Sequence, residues 1–141
     1  MQLHYRTMAE YMAEIFPGRV QKIAVNASLG CPNRDGTIGT GGCIYCNNAS
    51  FNPAYANLSK ESITKQLEKG VSFFSKKGTP FGYLPYFQSY SNTYGDSETL
   101  IELYEEALSF PNVVGLVIAT RYGYEGTFPP NRIWTFTISF L

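Results

Sequence analysis

Residues 113–120 read VVGLVIAT, an apolar run with no charged residue. A strand wet on one face alternates apolar and polar residues. A run without that alternation suits a strand covered on both faces, as in a parallel sheet flanked by helices. Upstream, Asp96 is placed to cap a helix carrying Leu100, Leu103, Tyr104, Ala107 and Leu108. Before that, residues 81–88, FGYLPYFQ, read as a strand, although Pro85 has no N–H for a ladder. Ser59 is expected to cap a helix with the stripe Ile63, Leu67, Val71 and Phe74, ended by Gly78. Residues 22–27, KIAVNA, form another short apolar strand. From Tyr5 to Phe16 the positions Met8, Tyr11, Met12 and Ile15 recur at helical spacing, and Pro17-Gly18 stops that helix. Helices alternating with strands predict βαβ units, and so an α/β fold on a parallel sheet.

Such sheets bind ligands beyond the carboxyl ends of their strands. Three polar segments fall there: residues 31–46 after the first strand, YFQSYSNTY (86–94) at the end of the second, and Thr120-Arg121 at the end of the third. They are expected to converge on one rim. The remaining properties mainly exclude. A chain of 141 residues suggests one domain or part of a larger one. Eleven basic residues balance eleven acidic ones, so no net field draws the chain to nucleic acid or membranes. There is neither a long apolar run for a membrane span nor a signal-peptide core, so the cytoplasm, with its reduced thiols, is the expected compartment.

Residues 31–46 read CPNRDGTIGTGGCIYC and hold all three cysteines, Cys31, Cys43 and Cys46. Three is an odd number, and disulfides fit a cytoplasmic loop badly. Inert buried thiols seldom cluster in a polar, glycine-rich loop. The CxxC of Cys43 and Cys46 suits zinc, but structural zinc wants four ligands, and only Asp35 is near enough in sequence to serve as the fourth. His4, the only histidine, is far off and expected to be solvated. An iron–sulfur cluster is the fourth reading beside these: held by three thiolates, it keeps one iron open to an outside ligand. No Ser/His/Asp arrangement is present, and no residue is assigned a catalytic role.

Three cysteines after the first strand of a βα series, with an aromatic before the last, resemble the radical S-adenosylmethionine (SAM) superfamily. Its usual motif is CxxxCxxC, and Tyr45 matches the aromatic. Here eleven residues separate Cys31 from Cys43. That longer spacing, followed by Asn47-Asn48, resembles the YhcC-like group of radical SAM proteins, which is related to the catalytic subunit of Elongator. YFQSYSNTY and the strand ending IATR resemble the same group.

The resemblance implies the N-terminal half of a partial (β/α) barrel, with a 4Fe–4S cluster on Cys31, Cys43 and Cys46. It implies SAM on the open iron, reductive cleavage of its sulfonium, and hydrogen abstraction from an unknown substrate. Tyr45 would sit near the adenine or merely pack. Gln88, Ser91, Asn92 and Thr93 would hold the SAM amino group, or else cap a turn. Thr120 and Arg121 would meet its carboxylate or ribose. An electron donor such as flavodoxin or ferredoxin is implied as partner. Kinship with Elongator points to tRNA by analogy alone. The competing reading is a non-catalytic zinc or iron–sulfur module acting through a partner.

The resemblance covers residues 5–121. Residues 122–141 form an atypical tail containing Pro129-Pro130, with Trp134, Phe136, Ile138 and Phe140 alternating as in a fourth strand. The expectation is therefore an N-terminal radical SAM part over residues 1–121, truncated or frame-shifted beyond it, and poorly active alone. A genuine short variant that pairs with another chain is the alternative.

Overall fold

The computed structural model describes residues 5–44, 47, 55 and 61–120, together with the backbone of 135–139. The element order is α1 (Met8–Ile15), β1 (Val20–Val25), α2 (Ile63–Phe74), β2 (Gly82–Phe87), α3 (Ser97–Ser109), β3 (Leu116–Thr120) and β4 (Thr135–Ser139). The fold is α/β, as the alternation predicts. All pairings are parallel, in the sequential order β1-β2-β3-β4.

The helices start where polar side chains can take their unpaired N–H groups. Thr7 and Glu10 form a reciprocal capping box on α1. Asp96 accepts from the Thr99 N–H at the start of α3, as expected. On α2 the capping residue is Ser62, which accepts from Lys65 N–H. The predicted cap, Ser59, lies outside the described residues. The Glu106 carboxylate of α3 accepts from both the N–H and the hydroxyl of Thr64, at 2.8 Å each, tying the two helices together. A short 3₁₀ turn, Ser75–Lys77, follows α2, and Gly78 ends it with φ +80°.

Helices α2 and α3 cover one face of the sheet. Ile63 and Leu67 meet Leu100, Tyr104 and Ala107 over Ile23, Val25, Phe87, Leu116 and Ile118. The opposite face carries Leu84, Tyr86, Val117 and Ala119, with Met12 of α1 packed against them. A sequential strand order with both crossover helices on one face makes this a singly wound sheet. A doubly wound sheet reverses its strand order and places helices on both faces.

Pro85 lies inside β2, between two neighbouring strands, where a proline is least expected. Tyr83 donates its N–H to Asn112 and accepts from Val114 on the β3 side. By the alternation of the ladder, Pro85 is the next residue facing that side, and it has no N–H to give. The register slips there. Three steps along β2, from Tyr83 to Tyr86, match four along the facing segment, from Val113 to Val117. The regular strand therefore begins at Leu116 rather than at Val113, as the apolar run suggests.

The outer edge of β1 is closed by side chains. Gln21 Nε2 donates to Lys22 C=O at 2.8 Å. The Tyr55 hydroxyl accepts from Ala24 N–H at 3.1 Å and donates to Ala24 C=O at 3.3 Å. Gln66, buried, accepts from Asn26 N–H at 2.7 Å and donates to Asn26 C=O at 2.9 Å. Backbone groups paired in this way are withheld from another strand. At the far side the tail does supply the expected strand, with β4 running along β3 from Leu116↔Thr135 to Thr120↔Ser139. Trp134 and Phe140 lie outside the described residues, as do residues 121–133.

Helix α2 presses on β1 through Gly70. A β-carbon there would stand 2.3 Å from Ile23 Cγ2, and Ile23 is wholly buried. Alanine would gain about 1 kcal/mol of helix propensity. Overpacking of this kind costs about 1–3 kcal/mol, and a contact this short falls at the upper end. Gly70→Ala is therefore expected to lower the urea midpoint, and an unchanged midpoint would show that α2 can ride outward. The Asp96 carboxyl is held below its usual range by its hydrogen bonds with Thr99. Its capping contribution is present above the unfolded carboxyl pKa of about 4 and is lost as pH falls through the lower folded value. Helicity of α3 should therefore fray on acidification below about pH 4, and Asp96→Asn should remove that pH dependence while keeping a cap.

Candidate functional site

The three polar segments meet at the carboxyl rim, as the topology predicts. After β1 the chain enters the cysteine loop. Arg34 and Asp35 N–H groups close on the Cys31 carbonyl at 2.8 and 3.1 Å. The buried Pro32 offers its carbonyl to Ile38 and Gly39, at 2.8 and 3.2 Å. Asn33 C=O accepts from Gly42 N–H at 2.8 Å. The eleven residues between the cysteines thus fold back on themselves, and the Asn33 side chain meets Cys43, donating from Nδ2 to Sγ at 3.0 Å. The second cysteine is delivered beside a residue only two positions after the first. The long spacing costs little reach, because the excursion is a closed loop.

This folding back turns on Gly42. Its φ is +71°, in the left-handed region, and an added β-carbon would lie 3.0–3.1 Å from the Arg34 guanidinium. Asp35 accepts from Thr37 N–H through Oδ1 at 2.9 Å and from the Tyr94 hydroxyl through Oδ2 at 2.7 Å. The Thr37 N–H and hydroxyl, then the Tyr94 hydroxyl, hold the Asp35 carboxyl below its ordinary range. Asp35 is therefore occupied in ordering the loop, which leaves it poorly suited to complete a zinc site.

The segment after β2 is anchored by Asn92, buried, whose Nδ2 donates to the carbonyls of Phe87 and Ala119 at 2.9 Å each. Its own carbonyl accepts from the Tyr104 hydroxyl, a buried phenol whose pKa burial raises. Among the described residues, Asn92 Oδ1 is a buried acceptor without a partner. Ser91 Oγ reaches Cys31 Sγ at 3.7 Å. Thr93 and Thr120 share a hydrogen bond between their hydroxyls, joining the ends of the second and third strands. Gln88 is placed differently, lining an open groove of about 270 Å³ with Lys22, Ala24, Tyr86 and the rings of Tyr55, Phe73 and Phe74.

Cys31 and Cys43 are half-buried, and each sulfur has a side-chain donor. Hydrogen-bond donors of this kind beside sulfur are the sort that tune soft-metal and iron–sulfur sites. Cys46, Tyr45 and Arg121, the other expected site residues, lie outside the described residues, as does His4. Among the described residues no group of three or more His, Cys, Asp or Glu could hold a metal ion. Asn33, Asp35 and Tyr94 gain roles that no spacing rule assigns them. The only sequence signal is that they flank the cysteines or sit in the second polar segment.

Fold and site together define an α/β chain with a singly wound parallel sheet and a cysteine loop at its carboxyl rim. No family model and no solved structure matches the chain. It is similar to protein YhcC of Escherichia coli, with 40% identity over 103 residues, covering 73% of this chain and 32% of that protein. It is also similar to protein YtqA of Bacillus subtilis, with 36% identity over 117 residues, covering 83% of this chain and 36% of that protein. The chain spans about a third of the length of these curated relatives. No helix among the described residues is long and apolar enough to cross a membrane.

Gly42→Ala should loosen the loop, since a β-carbon in the left-handed region costs about 1–2 kcal/mol, or roughly tenfold in local opening. Hydrogen exchange at the Ile38, Gly39 and Gly42 amides measures this. Gly41, whose added β-carbon would meet nothing, is the control. Equal acceleration by Gly41→Ala and Gly42→Ala would refute the role given to Gly42.

Proposed function

We propose that this chain is the N-terminal part of a radical SAM iron–sulfur protein of the YhcC-like group. Cys31, Cys43 and Cys46 would hold a 4Fe–4S cluster, and the rim of a partial (β/α) barrel would receive SAM. The observation that carries the reading is the folded-back loop, which sets Cys43 Sγ against Asn33 while Ser91 reaches Cys31 Sγ. The eleven-residue interval thereby folds back toward its own start, which supports reading it as one ligand loop. The singly wound sheet, with both crossover helices on one face, also suits part of a barrel.

The bound cluster and SAM would supply one-electron reductive chemistry at the sulfonium. The residues of this chain hold and shield. Asn33 and Ser91 donate to the sulfurs, and such bonds tune a cluster's potential. Asn92 has spent both amide N–H groups on the strand ends, so it would meet SAM only through Oδ1, as an acceptor for an ammonium group. The hydroxyls of Thr93 and Thr120 form a polar lip, and Arg121, the next residue in sequence, carries a guanidinium that would suit a carboxylate.

Anaerobic reconstitution should load about four irons per chain, the content of one such cluster. Replacing Cys31, Cys43 or Cys46 by Ala should abolish loading. Adding SAM to the reduced protein should then change its paramagnetic resonance spectrum. Stoichiometric zinc with refusal of iron would instead favour a non-catalytic metal module. A loaded protein whose spectrum ignores SAM would break the link to radical chemistry.

A further inference from the structure

The segment after β2 grips the cysteine loop at two separate points. Ser91 Oγ meets Cys31 Sγ at the loop's entry. Tyr94 meets its tip, donating to Asp35 Oδ2 at 2.7 Å with Thr37 Oγ1 at 3.0 Å from its hydroxyl. The Tyr94 ring also lies against Gly30, 3.6 Å from where a β-carbon would stand. The two gripping residues move as one, because Tyr94 N–H donates to Ser91 C=O at 3.0 Å and closes the turn. Asn92, between them, is bonded to the strand ends. The turn Ser91–Tyr94 is thus a rigid bracket with two contacts on a long, glycine-rich loop.

We propose that Tyr94 is a positioning residue for the metal centre. Its bond to Asp35 latches the excursion between Cys31 and Cys43, and so keeps the Asn33 and Ser91 donors on their sulfurs. This rests on the reading of Cys31 and Cys43 as cluster ligands. The physical reason is one of scale. The loop's own backbone bonds join near neighbours, whereas Tyr94 and Asp35 are 59 positions apart. Only the second kind of bond fixes the loop relative to the sheet. A hydrogen bond to a carboxylate is also among the stronger kinds.

Tyr94→Phe removes the hydroxyl and keeps the ring on Gly30. In the metal-free 141-residue chain it should speed hydrogen exchange at Ile38, Gly39 and Gly42 by about tenfold, as loss of a charge-assisted bond implies. Asp35→Ala should do the same. The double variant should fall short of the two effects combined, because both single variants remove the Tyr94–Asp35 contact, although Asp35→Ala also gives up the Thr37 N–H bond and Tyr94→Phe the Thr37 hydroxyl. Asp35→Asn leaves one neutral oxygen for two donors, Thr37 N–H and the Tyr94 hydroxyl, and should fall between wild type and Asp35→Ala. In the reconstituted protein, Tyr94→Phe and Ser91→Ala should both lower the cluster's midpoint potential at unchanged iron content, since weaker donation to sulfur leaves the oxidised cluster relatively favoured. Tyr94→Phe with wild-type exchange and potential, or additive effects of the two latch variants, would overturn the proposal. Failure of the wild-type chain to load iron would defeat the functional reading instead, whatever the exchange data show.

Discussion

The two N–H groups of the Asn92 amide hold the rim together. Each donates to a carbonyl at the carboxyl end of a different strand, Phe87 on β2 and Ala119 on β3. Those carbonyls point past the regular ladder, and buried polar groups left unpaired cost about 1–3 kcal/mol each. The same residue's backbone N–H reaches Ala119 C=O at 3.3 Å, and its carbonyl takes the Tyr104 hydroxyl from α3. One residue therefore joins two strands through its side chain and a helix through its main-chain carbonyl. Ser91 and Tyr94 stand on either side of it, and they are the residues that touch the cysteine loop. The chemistry of the loop is in this sense built from the core outward: Phe87 against Tyr104, Tyr104 on Asn92, Asn92 between its two neighbours, and these on the cysteine segment.

The sheet ends in two different ways, and the difference bears on how a longer chain would use it. On the β1 side Gln21, Tyr55 and Gln66 answer the backbone groups of Lys22, Ala24 and Asn26. An edge closed in this way limits unwanted pairing. On the β3 side the neighbour is another parallel strand, joined through backbone bonds along its length. Growth of the sheet is compatible with that side and disfavoured on the other.

Much of the fold was legible in the sequence because periodicity is local. Leu100, Tyr104 and Ala107 share a face by helical geometry alone, and they are buried. VVGLVIAT reads as covered on both faces because nothing polar interrupts it until Thr120, and all five residues of β3 are buried. Pro85 weakens the strand around it in any local reading. The structure keeps the strand by moving the register on the neighbouring side, an accommodation that depends on a partner segment some thirty positions away. The cap on α2 was misplaced by three residues, since Ser59 and Ser62 have the same capping chemistry and only the observed start of the helix distinguishes them.

At the candidate site the sequence by itself determined the atoms available: three thiols in a glycine-rich loop that follows the first strand. It also determined that the loop follows the carboxyl end of a strand, because alternation makes the strands parallel and gathers those ends on one rim. The tertiary structure decided which groups approach the sulfurs. Asn33 on Cys43 needs the loop to close through Gly42, whose left-handed backbone is invisible in a list of glycines. Ser91 on Cys31 and Tyr94 on Asp35 link positions 60 and 59 apart. Pairings at that range have no period or spacing to announce them. They exist only once a buried amide has pinned two strand ends together and fixed where the next few side chains point.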